Sequence, residues 1–195
     1  MEIMTTAETP ATPTSITVKV QTPSIEKLEK YGTVLGYNPN VEPLPIEFYG
    51  GAAKVRRLGE FKAQGEIEMP VTTLQRRPFL VSHMERHMLH TQAFISLGAK
   101  PFIVCFAPPN DKELPDLDEV EAFLFDGDAG FMMHAGTWHE FPFAVLDDTQ
   151  LLVILTKSAT EGLVKDNVIQ NEAIGPDIEK RDLKQRFGLT IRLEV

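Results

Sequence analysis

The fold and the chemistry both depend on one short stretch in the middle of the chain, residues 83–94, which reads HMERHMLHTQAF. On an extended strand, His83, Glu85 and His87 point to one face, because side chains alternate with a period of two. Gln92 can return to that face after a turn. The stretch therefore predicts a strand, a turn and a second strand that collect nitrogen and oxygen donors on one side.

All five histidines of the chain fall in two windows of sequence. His83, His87 and His90 lie in the first window, and His134 and His139 lie in the second. Core packing does not require this clustering, whereas a shared site does. We expect the two windows, each in a strand and turn region, to meet in space.

Short apolar stretches with strand character surround both windows, and glycine and proline separate them. These stretches are residues 46–49, 102–106, 131–143 and 151–155. Closely spaced short strands predict a β-sandwich or barrel. Residues 189–195 alternate regularly, which predicts a final half-buried strand that pairs at a sheet edge or across a dimer.

Two stretches have helical features. Ser24 stands in an N-cap position, with Glu26 in the first turn and Gly32 as a stop, which predicts one short helix. Residues 116–125 carry apolar side chains at helical spacing and predict a second helix. The expected fold class is therefore mainly β with a few short helices.

Composition indicates one globular domain. The chain has 195 residues, of which 43% are hydrophobic and 24% are charged, values typical of globular proteins. Residues 1–15 are rich in Thr, Pro and Ala and predict a flexible leader, so residues 16–195 form a single domain that includes a C-terminal extension, residues 158–195.

Charge and hydropathy exclude several classes of partner. A formal net charge of −9 would repel a phosphate backbone, which argues against nucleic acid. No apolar run is long enough to span a bilayer, and the N-terminus lacks the basic start of a targeting signal. We expect a cytoplasmic protein with a small-molecule substrate and without a membrane partner.

The two windows resemble the two sequence motifs of the cupin superfamily. The first motif has two histidines separated by one residue and then a glutamate; Glu85, His87 and Gln92 occupy these positions. The second motif has a glycine-containing turn before a ligand histidine; His139 takes the ligand position and His134 stands where proline is expected. The resemblance implies a cupin-like β-barrel or jelly roll.

The same resemblance implies a metal site formed by Glu85, His87, Gln92 and His139. These donors suit a divalent ion such as Ni, Mn, Zn or Fe. A neutral glutamine is a weak ligand, so we expect weak binding, and no organic cofactor. Only half of the usual three-histidine, one-glutamate set is recognisable, which argues against an oxygenase or isomerase with a tightly bound redox metal.

One family matches more closely than the cupins at large. Residues 85–87 (ERH), 91–95 (TQAFI) and 138–139 (WH), with His134 before the last pair, resemble the ureidoglycolate lyase family of purine catabolism. The resemblance covers about residues 16–156. It implies a homodimeric enzyme that cleaves ureidoglycolate to glyoxylate and urea in allantoin catabolism.

That reaction needs a base for the hydroxyl proton, an acid for the departing urea and a positive charge for the carboxylate. His87 and His139 are the central pair, which binds metal or acts directly on the substrate. Glu85 is a ligand or a base, and Gln92 is a ligand or a hydrogen-bond donor.

Other residues have open roles. His134 protonates the leaving nitrogen or has a structural role in its turn. Trp138 packs in the core or stacks on substrate. Lys157 neutralises the carboxylate in place of an arginine of the family, or is only solvated. The motif does not require His83 and His90.

Two alternative functions remain open. Thr156-Lys157 stands where the family has Asp-Arg and residues 158–195 form a longer tail, which favours a related cupin enzyme acting on another small hydroxy acid. Gln92 in place of an acid favours a non-catalytic cupin that binds a small carboxylate.

Overall fold

Sixteen strands and three helices form the regular structure of the residues that the computed structural model describes, 14–46, 48–165 and 172–195. The strands are β1 (Thr14–Gln21), β2 (Gly32–Leu35), β3 (Ile67–Glu68), β4 (Val71–Leu74), β5 (Leu80–Val81), β6 (His83–His87), β7 (Gln92–Leu97), β8 (Phe102–Ala107), β9 (Glu121–Phe125), β10 (Gly130–Met133), β11 (Trp138–His139), β12 (Phe143–Ala144), β13 (Thr149–Thr156), β14 (Ala173–Ile174), β15 (Ile178–Asp182) and β16 (Leu189–Glu194). The helices are α1 (Ile25–Leu28), α2 (Lys157–Lys165) and α3 (Leu183–Phe187). The predicted mainly β fold with a few short helices is confirmed.

The strands form two sheets. The larger sheet has the order β14-β15-β6-β11-β8-β9-β1-β16-β5, with β12 also paired to β8, and the smaller sheet has the order β2-β10-β7-β13-β3, with β4 also paired to β13. The first histidine window links the sheets, because β6 lies in the larger one and β7 in the smaller one. The second window enters the larger sheet through β11, which pairs with β6.

Strand β8 shows how the core is divided. Phe102, Val104 and Phe106 point into an apolar cluster shared by the two sheets. Ile103 and Cys105 point into a second cluster on the other face of the larger sheet. Because both faces are covered, all six residues of β8 are buried, and alternation along the strand decides which cluster each side chain joins.

The predicted helix at residues 116–125 is wrong. Asp116 caps a single 3-10 turn, Leu117–Glu119, and the chain then continues as β9. Strand β9 lies between β8 and β1, so apolar side chains are needed on both of its faces. In a strand that is buried on both faces, the pattern of apolar residues can be mistaken for a helical period, which explains the wrong prediction.

The other predicted elements are partly correct. Helix α1 is present, and the Ser24 hydroxyl caps it by accepting from the Lys27 backbone N–H. The predicted strand at 46–49 is wrong for its described part, since Phe48 forms only an isolated bridge to Ala53; Glu47 lies outside the described residues. Strand β16 exists but lies between β1 and β5, so the edge and dimer pairings are wrong.

The N-terminal leader was predicted too long. Thr14 and Ser15 belong to β1 and pair with β16, while residues 1–13 lie outside the described residues. No helix among the described residues is long and apolar enough to cross a membrane.

Replacement of Gly32 by Ala is expected to destabilise the fold by about 2–4 kcal/mol. A Cβ at Gly32 would overlap the backbone carbonyl oxygen of Met132 and lie 2.8 Å from the Phe131 ring, so β2 and β10 would have to separate. Urea denaturation measures the change. Gly162→Ala is the control, because its Cβ meets only the Ile178 side chain at 3.3 Å; equal losses in the two variants would contradict the account.

Candidate active site and metal centre

Glu85, His87 and His139 form a buried cluster where β6 and β11 pair. The Glu85 Oε1 lies 3.7 Å from the His139 Nε2 and 4.0 Å from the His87 Nε2. One ligand atom from each residue lies within 4.8 Å of the others. The structure thus brings together these residues from the two windows, as the sequence predicted.

Antiparallel pairing sets the position of these side chains. Glu85 is directly opposite His139 on β11 and opposite Lys180 on β15, and directly paired residues share a face of the sheet. Alternation brings His83 and His87 to the same face. Across three strands, the order of side chains is therefore Lys180, Glu85, His139.

The turn before β11 fixes the orientation of His139. Gly136 adopts a φ of 82°, which favours glycine, and its N–H donates to the His87 carbonyl oxygen at 2.7 Å. The Thr137 hydroxyl donates to the Tyr31 carbonyl oxygen at 3.0 Å. The His139 Nδ1 lies 3.0 Å from the Thr137 carbonyl oxygen, so Nδ1 carries the proton and Nε2 has a free lone pair.

Gln92 approaches from the other sheet. It is the first residue of β7, buried, and on the same face as Phe94, two positions along the strand. The Phe94 ring lies edge-on to the His139 ring with 6.2 Å between centroids. Gln92 therefore faces the interior that holds His139.

The site is marked by buried polar atoms that have no hydrogen-bond partner. Among the described residues there are six of these side-chain atoms, and all belong to the two histidine windows: His83 Nε2, His87 Nδ1 and Nε2, His90 Nε2, Gln92 Oε1 and His139 Nε2. Buried polar groups are nearly always paired, so this concentration indicates a site prepared for a ligand. Imidazole nitrogens with a carboxylate and an amide oxygen are donors that fit a divalent transition metal.

Burial also keeps the histidines neutral. It lowers the pKa of His139 to about 4 and lowers the pKa of His87 well below its usual value. Burial raises the pKa of Glu85 to about 7, although the positive charge of Lys180 opposes this shift. At neutral pH both imidazoles have free lone pairs, and Glu85 is poised between its two protonation states.

A cleft of about 760 Å³ leads to Glu85. Its polar lining includes two cations, Arg77 and Lys180, together with His83 and Glu140. The Arg77 guanidinium lies 3.2 Å from the Glu140 carboxylate, and Lys180 is 9% exposed. Neither cation is recognisable from the sequence, because no motif marks them and only the pairing of β15 with β6 brings Lys180 to the site.

The structure places Trp138 away from this cleft. Its ring is fully buried in the cluster on the opposite face of the larger sheet. The Arg86 guanidinium lies 4.4 Å from the ring centroid, and the indole N–H donates to Asn110 at 3.4 Å. The expectation that Trp138 binds substrate is wrong, and the alternative of core packing is correct.

Lys157 and His134 also lie away from the cluster. Lys157 opens α2 and its Nζ lies 3.3 Å from the Glu66 carboxylate, so the prediction that it neutralises the substrate carboxylate is wrong. His134 is exposed and its Nε2 lies 3.1 Å from the Glu29 carbonyl oxygen. It lines a cavity of about 610 Å³ that also borders His90, and its contact with the Glu29 carbonyl supports the structural role in its turn.

The family profile described as ureidoglycolate lyase matches residues 15–185. This chain belongs to the ureidoglycolate lyase family. A ureidoglycolate lyase from Azotobacter vinelandii is 40% identical over 77 residues, which are 40% of this chain and 45% of that protein. One from Salmonella typhimurium is 38% identical over 109 residues, which are 56% of this chain and 66% of that protein. The chain therefore matches less than two thirds of either relative's length.

Two solved structures are similar to parts of this chain. RmlC from Streptococcus suis gives a TM-score of 0.32 at 8% identity, over 47% of this chain and 44% of that one. A dTDP sugar isomerase from Desulfovibrio desulfuricans gives a TM-score of 0.31 at 21% identity, over 59% and 71%. The two sheets confirm the predicted mainly β fold, and the cupin-like barrel stays a prediction.

Replacement of Glu85 by Gln is expected to stabilise the metal-free protein at high pH. The pKa of Glu85 is raised from 4.5 to about 7, so the parent loses stability as the pH rises from 4.5 through 7, while glutamine does not ionise. The gain in free energy of unfolding should be small at pH 4 and on the order of 1–3 kcal/mol at pH 8.

Urea denaturation in the presence of a chelator at both pH values measures this difference. Glu66→Gln is the matched control, because Glu66 is largely exposed and pairs with Lys157. The same gain at pH 4 and pH 8 for Glu85→Gln would rule out a buried carboxyl with a raised pKa.

Proposed function

We propose that this protein is a ureidoglycolate lyase, which cleaves ureidoglycolate to glyoxylate and urea. The proposal is carried by the buried cluster of Glu85, His87 and His139, whose carboxylate opens into a cleft that contains Lys180 and Arg77. Family membership supports it independently. The substrate is a small α-hydroxy carboxylate, and the cleft offers two cations for its charge.

The reaction breaks the bond between the carbinol carbon and the ureido nitrogen. The hydroxyl loses its proton, the carbon–oxygen bond becomes the carbonyl of glyoxylate, and the departing nitrogen gains a proton to give urea. Proton abstraction is most efficient for a base whose pKa is near the working pH. Glu85 meets this condition and is the member of the cluster that lines the cleft.

We assign Glu85 as the group that takes the hydroxyl proton and returns it to the leaving nitrogen. The same carboxyl can perform both transfers, because its two protonation states are close in free energy at neutral pH. Lys180 lies next to Glu85 in the strand order and binds the substrate carboxylate, together with Arg77. This orients the hydroxyl toward Glu85.

A divalent metal would be held by His87, His139 and Gln92, with Glu85 adjacent. When bound, it would lower the pKa of the substrate hydroxyl and orient it. The neutral amide of Gln92 is a poor ligand, which agrees with weak binding and leaves Ni, Mn, Zn and Fe as candidates.

The homodimer and the cytoplasmic location remain predictions. Ile67, Met69 and Val71 are more than half exposed and occupy every second position from β3 to the start of β4. We propose this apolar strip as the dimer surface. Light scattering of the purified protein measures its molar mass and so tests this dimer surface. The parent should have the mass of a dimer and Met69→Lys the mass of a monomer.

Substitution of either central histidine is expected to abolish catalysis. His87→Ala and His139→Ala should each lower kcat for glyoxylate release by at least about 100-fold, because orientation and activation of the hydroxyl are lost. His134→Ala is the control and should keep the parent rate. Circular dichroism checks that each variant is folded.

Release of glyoxylate at the parent rate by folded His87→Ala or His139→Ala would contradict the assigned site. Absence of release by the parent from both enantiomers of ureidoglycolate, with and without added divalent metal, would overturn the proposed function itself.

Lys180→Met and Lys157→Met form a matched pair. Loss of a charged hydrogen-bonding partner should raise KM by roughly 10- to 100-fold in Lys180→Met, whereas Lys157→Met should not change it. Since Lys180 lowers the pKa of Glu85, the activity of Lys180→Met should also begin at higher pH. An unchanged KM in Lys180→Met, or an equal rise in both variants, would exclude Lys180 as the carboxylate-binding residue.

A further inference from the structure

Helix α2 forms one wall of the cleft that leads to Glu85. Leu163 and Val164, in the last turn of this helix, line the cleft, and Leu80 and Phe141 line it from other parts of the chain. Four apolar side chains therefore face the same space as the two cations. The cleft has a charged part and an apolar part.

Packing fixes α2 in this position. The Ala159 side chain is fully buried in the cluster shared by the two sheets, and the Ser158 hydroxyl donates to the Asp177 carboxylate at 2.7 Å. Gly162 lies so close to β15 that a Cβ there would be 3.3 Å from the Ile178 side chain. The apolar wall is therefore an integral part of the fold.

This wall lies beside the charged groups, on the same face of the larger sheet. Leu163 packs against Ala173 and Ile178. Lys180 lies two positions beyond Ile178 on β15 and is opposite Glu85 on β6, so alternation places Ile178 and Lys180 on one face. Ala173 on β14 is also opposite Lys180. The apolar wall and the cation are thus neighbours.

Packing onto the fold explains Leu163 but not Val164. Leu163 is partly buried against β14 and β15, whereas Val164 is 76% exposed and lines the cleft. An apolar side chain in a concave site loses its contact with water when a ligand covers it, which favours binding in proportion to the apolar area. The wall therefore favours a ligand that has an apolar part.

Ureidoglycolate itself has no apolar group that could pack on this wall. Its carbinol carbon carries a hydroxyl, a carboxylate and a ureido group, all of which are polar. The cleft volume of about 760 Å³ lies in the range of roughly 300–1,000 Å³ that holds ligands of drug size. The cleft thus has room for a longer molecule with the same polar end.

The positions of the polar groups indicate where an apolar group is attached. In the proposed function, the carboxylate lies on Lys180 and Arg77 and the hydroxyl lies on Glu85. The ureido group is the end that remains. Val164 is largely exposed and so lies at the mouth of the cleft, which a substituent on the terminal ureido nitrogen can reach.

We propose that the substrates of this cleft include ureidoglycolates whose terminal nitrogen carries an apolar group, which packs on Leu163 and Val164. This rests on the proposed function and adds a substrate class to it. The same carbon–nitrogen bond breaks, and the hydroxyl proton passes to the leaving nitrogen. The products are glyoxylate and an N-alkylurea.

Glyoxylate release from ureidoglycolate and from its N-butyl derivative tests the proposal. The parent should have a kcat/KM at least about 10-fold higher for the derivative, mainly through a lower KM, because the butyl group leaves water. Leu163→Asn should reduce this preference at least about 3-fold. Leu146→Asn is the matched control, because Leu146 is half exposed and is not among the residues that line the cleft; it should keep the preference.

Calorimetric titration with propanoate, butanoate, pentanoate and hexanoate separates binding from catalysis. These acids have a carboxylate and an alkyl chain but no bond to cleave. The Kd of the parent should fall about 2- to 4-fold for each added methylene. The fall should be less than about 2-fold in Leu163→Asn and in Val164→Thr, and Leu146→Asn should follow the parent. Val164→Thr keeps the shape of an exposed side chain, so it guards against loss of folding in Leu163→Asn.

Equal kcat/KM values for the two substrates would overturn the apolar site and leave the lyase assignment in place. An affinity of the parent that does not depend on chain length would also overturn it, as would the chain-length dependence of the parent in folded Leu163→Asn and Val164→Thr. Absence of glyoxylate from both substrates would overturn the proposed function as well. The two proposals can therefore fail separately.

Discussion

The antiparallel pairing of β6 with β11 forces polar side chains into the interior without partners, and the rest of the site depends on this constraint. Glu85 and His139 lie opposite each other in that pairing. An unsatisfied buried polar group costs about 1–3 kcal/mol, and all six such atoms among the described residues lie in the two histidine windows. A ligand that satisfied these atoms would stabilise the folded state by binding it selectively.

Apolar packing around the site offsets the unfavourable free energy of burying these polar atoms. Phe94 and Phe106 pack in the cluster shared by the sheets, while Met84 and Trp138 pack on the opposite face of the larger sheet. The second window is joined to the first by the hydrogen bond from Gly136 to the His87 carbonyl. Apolar packing on both sides of the sheet and a direct link between windows keep the donors in place.

The sequence was sufficient to predict features that depend on a single strand, such as the face on which each side chain lies. A period of two places Glu85 and His87 on one face, and it also places Trp138 on the face opposite His139. Both expectations agree with the structure, because they need only the geometry of a single extended segment. The histidine windows themselves were recognisable from residue type and spacing.

The sequence was not sufficient to predict which side chains reach the site through the pairing of strands that are distant in the chain. Lys180 reaches the site only because β15 pairs with β6, and no local pattern encodes that choice. Lys157 was one candidate for the carboxylate, with simple solvation as the alternative, and its Nζ lies 3.3 Å from the Glu66 carboxylate.

Anomalous diffraction from crystals of the parent protein grown with Mn²⁺ or Zn²⁺ tests whether the buried cluster binds a divalent metal. We expect a single strong anomalous peak enclosed by Glu85, His87 and His139, within bonding distance of imidazole nitrogen. A cluster filled only by water at saturating metal, or a peak confined to the protein surface, would contradict it.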